Sequence, residues 1–164
     1  MRKFILFILL FLSLTGCSLS EIDNTPTKQV EELFNNYQTL DQKVLDDLDV
    51  VIAKETSFTN EQKKEYREIL KKHYQNLTYE IKDETVNGNK ATVEVEIEVT
   101  DFYKALNEGM KDNDIDSKLN LLKDAKDRVK YTLYLKLEKN DDGLWSLNDL
   151  SNEDEQKILG MYRY

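Results

Sequence analysis

Residues Lys90 to Val99 read KATVEVEIEV, with Val93, Val95, Ile97 and Val99 at every second position and Glu94, Glu96 and Glu98 between them. Successive side chains of a strand point to opposite faces, so this run is a strand with one dry face and one wet face. A period of two held over this length is not a helical pattern. Upstream, TYEIKDETV (Thr78 to Val86) reads as a partner strand, and Asn87-Gly88-Asn89 between the two is a hairpin turn signal. Downstream, VKYTLYLKL repeats the design: Val129, Tyr131, Leu133, Leu135 and Leu137 alternate with Lys130, Thr132, Tyr134 and Lys136. Its lysines are suited to face the glutamates of the neighbouring strand. Asn140-Asp141-Asp142-Gly143 then turns the chain into LWSLNDL, a fourth strand.

Outside these strands the period changes to three and four. Val30, Leu33, Phe34 and Tyr37, then Leu40, Val44, Leu45, Leu48, Val51 and Ile52, predict helix, with Thr25 as N-cap and Pro26 in the first turn. Thr39-x-x-Gln42 fits a capping box and predicts a division into two helices at Gln38-Thr39. Thr59-x-x-Gln62 opens a further helix whose stripe is Tyr66, Ile69, Leu70, Tyr74 and Leu77. FYKALNEGMKDNDIDSKLNLLKDAKDR, between the second and third strands, reads as a short helix, an acidic loop and a helix carrying Leu119, Leu122 and Ala125. Ser151 to Asp154 cap a last short helix through Ile158 and Leu159. Helices followed by an alternating antiparallel sheet of about four strands make an α+β domain, with residues 26–164 as a single unit. Phe34, Leu48 and Leu70 are the helical candidates to fill the space over its dry face.

The first residues follow a different logic. Arg2 and Lys3 precede the apolar run FILFILLFL (Phe4 to Leu12), and small residues lead to Cys17, the only cysteine. That order of zones is the anatomy of a secretory signal peptide, and the run is shorter than the ~20 apolar residues of a spanning helix. Leu14-Thr15-Gly16-Cys17 resembles the bacterial lipobox, whose cysteine is acylated before the preceding peptide is removed. The expected organisation is a lipoprotein signal peptide at 1–16, a tether at 17–25 from lipidated Cys17, and the domain at 26–164. The expected location is the extracytoplasmic face of a bacterial cell membrane, held by acyl chains on Cys17, because two or more chains anchor where one binds marginally.

The chain carries a formal charge of −9, and removal of Arg2 and Lys3 takes it to about −11. Phosphate backbones are bound by basic faces, so nucleic acid is not an expected partner. With one cysteine, no disulfide within the chain can staple the domain.

The lipobox, YQTLDQKVLDDLD (Tyr37 to Asp49), HYQNLTYEIKDETVNGNKATVEVEIEVTDFYKAL (His73 to Leu106) and GLWSLNDLSNEDEQKILGMY (Gly143 to Tyr162) together resemble small bacterial lipoproteins with an NTF2-like (cystatin-like) domain. The resemblance implies a cone-like fold, with helices packed in the concave side of a curved sheet and in some members a ligand cavity. Enzymes of that fold place an acid, base or oxyanion donor inside the cone. Here the assignable inward positions are aliphatic, with the phenol of Tyr131 as the exception. Tyr131, Val95, Ile97, Leu133 and His73 are the candidate cavity-lining residues, and no catalytic residue is assigned.

His73, the only histidine, lies between Leu70 and Leu77 and is expected at the boundary of the apolar face. DNDIDSK (Asp112 to Lys118) places aspartates at the first three ligand positions of a calcium loop, but Ser117 stands where glycine is required and Lys123 where the bidentate glutamate belongs. No metal or cofactor is expected. The reading is a non-catalytic binding module for an apolar small ligand or an envelope protein partner. Its rivals are an isomerase-like or hydrolase-like enzyme, marked by a titratable group in the cavity, and a structural accessory subunit, marked by a filled cone.

Overall fold

The computed structural model describes residues 24–110 and 114–163. Its elements are helices α1 (Pro26–Thr39), α2 (Gln42–Lys54) and α3 (Asn60–Gln75), strands β1 (Thr78–Asn87) and β2 (Lys90–Thr100), helices α4 (Phe102–Gly109) and α5 (Ile115–Asp124), strands β3 (Arg128–Lys139) and β4 (Trp145–Leu147), and helix α6 (Asn152–Ile158). The strands form one antiparallel sheet in the order β1-β2-β3-β4, so an α+β fold with N-terminal helices and a four-stranded sheet is what the chain adopts. The signal peptide, the lipobox, Cys17 and the tether up to residue 23 lie outside the described residues.

The dry face falls where the alternation put it. Val93, Val95, Ile97, Val99 and Leu133 are 0% exposed, and Ala91, Tyr131, Leu135 and Leu137 are buried beside them. The covering comes mainly from α1, whose Val30 and Phe34 are fully buried in the same cluster, with the Phe34 ring stacked on Tyr79 at 5.0 Å. Leu77 and Ile158 complete it. Leu48 and Leu70, expected to fill the same space, instead belong to a second cluster built between α2, α3, α4 and α5 with Ile69, Phe102, Leu119 and Leu122. The reason is geometric: α1 already occupies the sheet face, so the helices beyond it must bury their stripes against one another. Tyr74 packs against both clusters.

The division between α1 and α2 comes later than the capping box predicts. Thr39 is still helical, and its hydroxyl donates to the Asn35 carbonyl, leaving it unable to cap the next helix. Leu40 takes a positive φ of 55°, the Asp41 N–H reaches back to the Asn36 carbonyl, and the Asp41 carboxylate caps α2 by accepting from the Lys43 N–H. At α3 the capping box is complete, Thr59 and Gln62 each accepting from the other's N–H.

Strand β1 carries a bulge. Ile81 faces Val95, yet Asp83 faces Glu94, so one extra residue, Lys82, sits in β1 and the parity of the strand reverses. Tyr79 and Ile81 before the bulge therefore share a face with Glu84 and Val86 after it. Glu84 is brought to the start of α1, where its carboxylate accepts from the Thr27 N–H at 3.0 Å and the Thr27 hydroxyl at 2.7 Å. A carboxylate at a helix N-terminus meets free N–H groups and the positive end of the helix dipole.

The fourth strand is shorter than LWSLNDL implied, pairing only Trp145–Leu147 with Leu137–Lys139, with one further bond from the Asn148 N–H to the Lys136 carbonyl. On the rest of β3, the C-terminal segment takes over: Lys157 donates to the Thr132 carbonyl at 3.1 Å and the Tyr131 hydroxyl to the Tyr162 carbonyl at 3.0 Å. Asn24 and Thr25, the last two residues assigned to the tether, are fixed to the domain. The Asn24 amide donates to the Trp145 carbonyl and accepts from the Trp145 N–H, and Thr25 caps α1.

On the wet face, Glu96 accepts from Lys130 at 2.8 Å and Arg128 pairs with Glu98 at 3.2 Å. These bridges are exposed to solvent, so they order the face more than they stabilise it. Ile97→Ala is expected to lower unfolding stability by about 2–5 kcal/mol, the range for a buried aliphatic truncation, whereas Glu96→Gln should leave the denaturant midpoint almost unchanged. Equal shifts in paired urea melts would contradict the assignment of the two faces.

Candidate functional site

His73 lies in the last turn of α3, one turn beyond the buried Ile69 and Leu70, and so on the stripe that faces the interior. It is 2% exposed, not a boundary residue. Two segments distant in sequence close over it. The Phe102 ring at the start of α4 stacks on the imidazole at 4.5 Å, and the Ile158 carbonyl at the end of α6 lies 2.8 Å from Nε2. The chain past Ile158 turns at Gly160, whose φ is +70° and whose hydrogen occupies a place where a Cβ would run into the Thr100 carbonyl and sit 3.2 Å from His73 Cε1. Only glycine lets the turn approach this closely. The Tyr103 N–H, donating to the Gly160 carbonyl at 2.9 Å, holds it there.

The Ile158 carbonyl can only accept, so the neutral imidazole carries its proton on Nε2 and donates it to that oxygen. Nδ1 is left with a lone pair. It is buried and has no hydrogen-bond partner among the described residues. An acceptor stranded in this way costs about 1–3 kcal/mol relative to a satisfied one. Burial pushes the imidazole pKa down to about 4; the Ile158 hydrogen bond opposes that shift and the positive charge of Arg128 adds to it. The ring is therefore neutral at pH 7, and it packs against the rings of Phe102 and Tyr74.

Beside the ring opens a cleft of about 290 Å³. Ile69, Phe102, Leu122 and Ala125 give it an apolar floor. Charged and amide side chains form the rim: Glu65 and Lys123 bridge at 2.9 Å, with Glu68, Lys72 and Asn76 around them. The hydrogen bond to Glu65 holds the Lys123 ammonium above its ordinary range. A second groove, of about 660 Å³, runs between α4 and α5 past Asp101, Lys104, Glu108 and Asp124, and the Lys104–Asp127 bridge at 2.8 Å crosses it. Among the described residues, no group of three or more histidine, cysteine or acidic side chains is placed to hold a metal ion, and no helix is long and apolar enough to cross a membrane.

Four of the five candidate cavity-lining residues come together, Val95 opposite Leu133 and Ile97 opposite Tyr131, and His73 lies apart from them. Val95, Ile97, Leu133 and Tyr131 are packed in the sheet core under α1 and line neither this cleft nor the groove between α4 and α5. The polar tip of Tyr131 is used internally, on the Tyr162 carbonyl. His73 alone opens on a cleft, and the cleft lies on the helical side of the molecule. Its other walls, Phe102, Leu122 and Ala125, read in the sequence only as apolar positions of short helices. The burial of His73 was signalled by its place one turn from Leu70, but the contribution of Ile158 and Gly160, 85 residues and more downstream, had no local sign.

No family model, curated protein or solved structure matches the chain. The buried imidazole makes the domain's stability depend on pH in a definite direction. The unfolded chain takes up a proton at His73 below about pH 6.5, while the folded chain refuses it until about pH 4. Stability from this group is therefore full above about pH 6.5 and falls as the pH drops toward 4, by an amount on the order of 3 kcal/mol. Urea melts across that window should show a loss that is shallower in His73→Gln by about that amount; identical slopes would mean that the ring titrates normally in the fold.

Proposed function

We propose that this chain is an exported lipoprotein, held at the extracytoplasmic face of a bacterial membrane by acyl chains on Cys17, whose NTF2-like domain acts as a non-catalytic binding module for a small, largely apolar molecule. The observation that carries the binding reading is the cleft beside His73, with an apolar floor and a polar rim. Ligand sites likewise combine apolar surface with placed polar groups, although this cleft is the more polar for its seven polar or charged lining residues. The inner face of the sheet is filled by side chains of α1, the mark of the accessory-subunit rival, so the small-molecule reading rests on the helical cleft and not on a hollow cone.

Two features favour binding over catalysis. A histidine with a pKa of about 4 is a weak base at neutral pH, and its Nε2 is committed to a backbone carbonyl instead of being oriented by a carboxylate. Anchoring is supported by the order of the Arg2-Lys3, apolar and Leu14-Thr15-Gly16-Cys17 zones, and the fold by the sequence of helices followed by an antiparallel meander.

In bacteria fed a labelled fatty acid, the wild-type chain is expected to take up label and fractionate with membranes, and Cys17→Ala to do neither; label retained by the variant would remove Cys17 as the anchor. For the binding reading, the full-length chain in lipid nanodiscs is melted in the presence of benzene, anisole, phenol and indole. A compound that binds only the folded state raises the melting temperature with concentration. No shift with any of the four would count against a small-molecule site.

A further inference from the structure

We propose that two copies of this chain pair through the outer edge of β1, antiparallel and about a two-fold axis, with Tyr79 opposite Val86 and Ile81 opposite Glu84 of the other copy. The inference goes beyond the small-molecule reading and stands independently of it.

β1 is one margin of the sheet, and among the described residues no strand lies beyond it. Which of its backbone groups are open follows from the turn. Gly88 and Asn89 form a two-residue hairpin loop, and such a loop is closed by a hydrogen-bonded pair, here Asn87 and Lys90. Bonded pairs then recur at Thr85–Thr92, Asp83–Glu94, Glu80–Glu96 and Thr78–Glu98. The far side of the sheet gives the same phase. On β3 the Thr132 and Lys136 carbonyls are bonded outward, so the Val93–Leu135 pair is bonded between β2 and β3, and Glu94 turns to β1. Tyr79, Ile81, Glu84 and Val86 therefore turn their N–H and C=O groups away from the sheet. No turn, cap or loop of the described residues bonds to them.

Open edges are commonly guarded by charges or a bulge, and β1 carries both. Together they leave one register favourable. Because Lys82 is the extra residue, the open positions are symmetric about the Lys82–Asp83 peptide bond, and in a two-fold antiparallel pair each of them faces another. That register sets Lys82 against Asp83 of the other copy twice over, Glu80 against Thr85 and Thr78 against Asn87, so no like charges are opposed. Lys82 already bridges Glu80 at 2.6 Å, and the second copy adds a carboxylate on its other side. Glu84 is held by Thr27 at the start of α1, which keeps its charge occupied. Val86, 50% exposed, gains the ring of Tyr79. Sliding the second copy by two residues either way leaves half of the open positions unmatched and opposes Glu80 with Asp83, or Asp83 with Glu84. The complement of this edge is thus the edge itself, which singles out a second copy over an unrelated strand. Pairing along one edge buries less than a permanent dimer interface does, so the pair forms and separates with concentration.

The full-length chain in detergent micelles is followed by sedimentation and by amide hydrogen exchange over a wide range of concentration. The protein mass should rise from one copy to two, and the N–H groups of Tyr79, Ile81, Glu84 and Val86 should become slow to exchange in step with it. Those of Thr85 and Asp83, bonded to β2, should be slow throughout. Val86→Pro removes one outward N–H at an edge position where proline is tolerated, and should weaken the pair at least about tenfold while β1 stays bonded to β2. Lys82→Glu should weaken it comparably by opposing two acidic side chains, and Lys82→Glu combined with Asp83→Lys should restore it. All these chains share the same anchor, so differences among them do not come from the micelle. A single copy at every concentration, with fast exchange at the outward N–H groups, would overturn the proposal. Slow exchange there in a single copy would overturn it too, by showing that the chain covers its own edge. A pair indifferent to Val86→Pro and to the charge reversal would place the interface elsewhere, with the same consequence.

Discussion

One strip of surface sets the terms for this fold. Five inward positions of β2, from Ala91 to Val99, and Tyr131, Leu133, Leu135 and Leu137 of β3 present a continuous apolar face on an open sheet. At about 25 cal/mol for each Å² of apolar surface removed from water, a strip of this size must be covered for the domain to be stable, in a chain without a second cysteine to cross-link it. The chain offers α1 for that purpose and completes the cover with Leu77 and Ile158. Once α1 lies there, α3 reaches the sheet cluster through Tyr74, and the stripes of α2 to α5 otherwise close on each other as a second core.

His73 stands where the two cores meet. On one side it bonds to Ile158, a member of the sheet cluster; on the other it stacks on Phe102, a member of the helical cluster. The bond satisfies a carbonyl that the end of α6 would otherwise leave without an intrahelical partner, and so couples the last turn of α3 to the C-terminal segment. The same segment closes the outer edge of β3 where β4 is too short to do so, through Lys157 and Tyr162. One polar side chain thus sits between the two cores with a structural use for only one of its nitrogens, and the second has no partner among the described residues.

The N-terminal end is fastened with similar economy. Asn24 pairs with both backbone groups of Trp145, acting as a short extension of the sheet at β4, and Glu84 receives the first turn of α1. A chain arriving from an anchor at Cys17 would reach the domain at this corner. The His73 cleft is walled by α3, α4 and α5 and shares no residue with that corner, so the cleft and the point where the chain enters the domain use different parts of the surface.

Local pattern determined the sheet. The two-residue period of Val93 to Val99 and of Tyr131 to Leu137, the Asn87-Gly88-Asn89 turn, and the Thr25 and Thr59 caps each act through neighbours in the chain, so each was legible as written. The order of zones in the first residues carries the expectation of a signal peptide, which lies outside the described residues. Tertiary structure decided what depends on partners far apart. The bulge at Lys82 appears in the sequence only as an alternation that falters after Ile81, yet it decides that Glu84 meets α1. Thr39 matched a cap motif, but its hydroxyl found a nearer acceptor in its own helix. Whether the inward face walls a cavity or is filled was open in the sequence, because alternation reports which side is dry and not whether another element fills the space. The state of His73 was the least legible of all, since its burial, its tautomer and its unpaired nitrogen follow from Phe102, Ile158 and Gly160, and no spacing rule along the chain brings those residues to one ring.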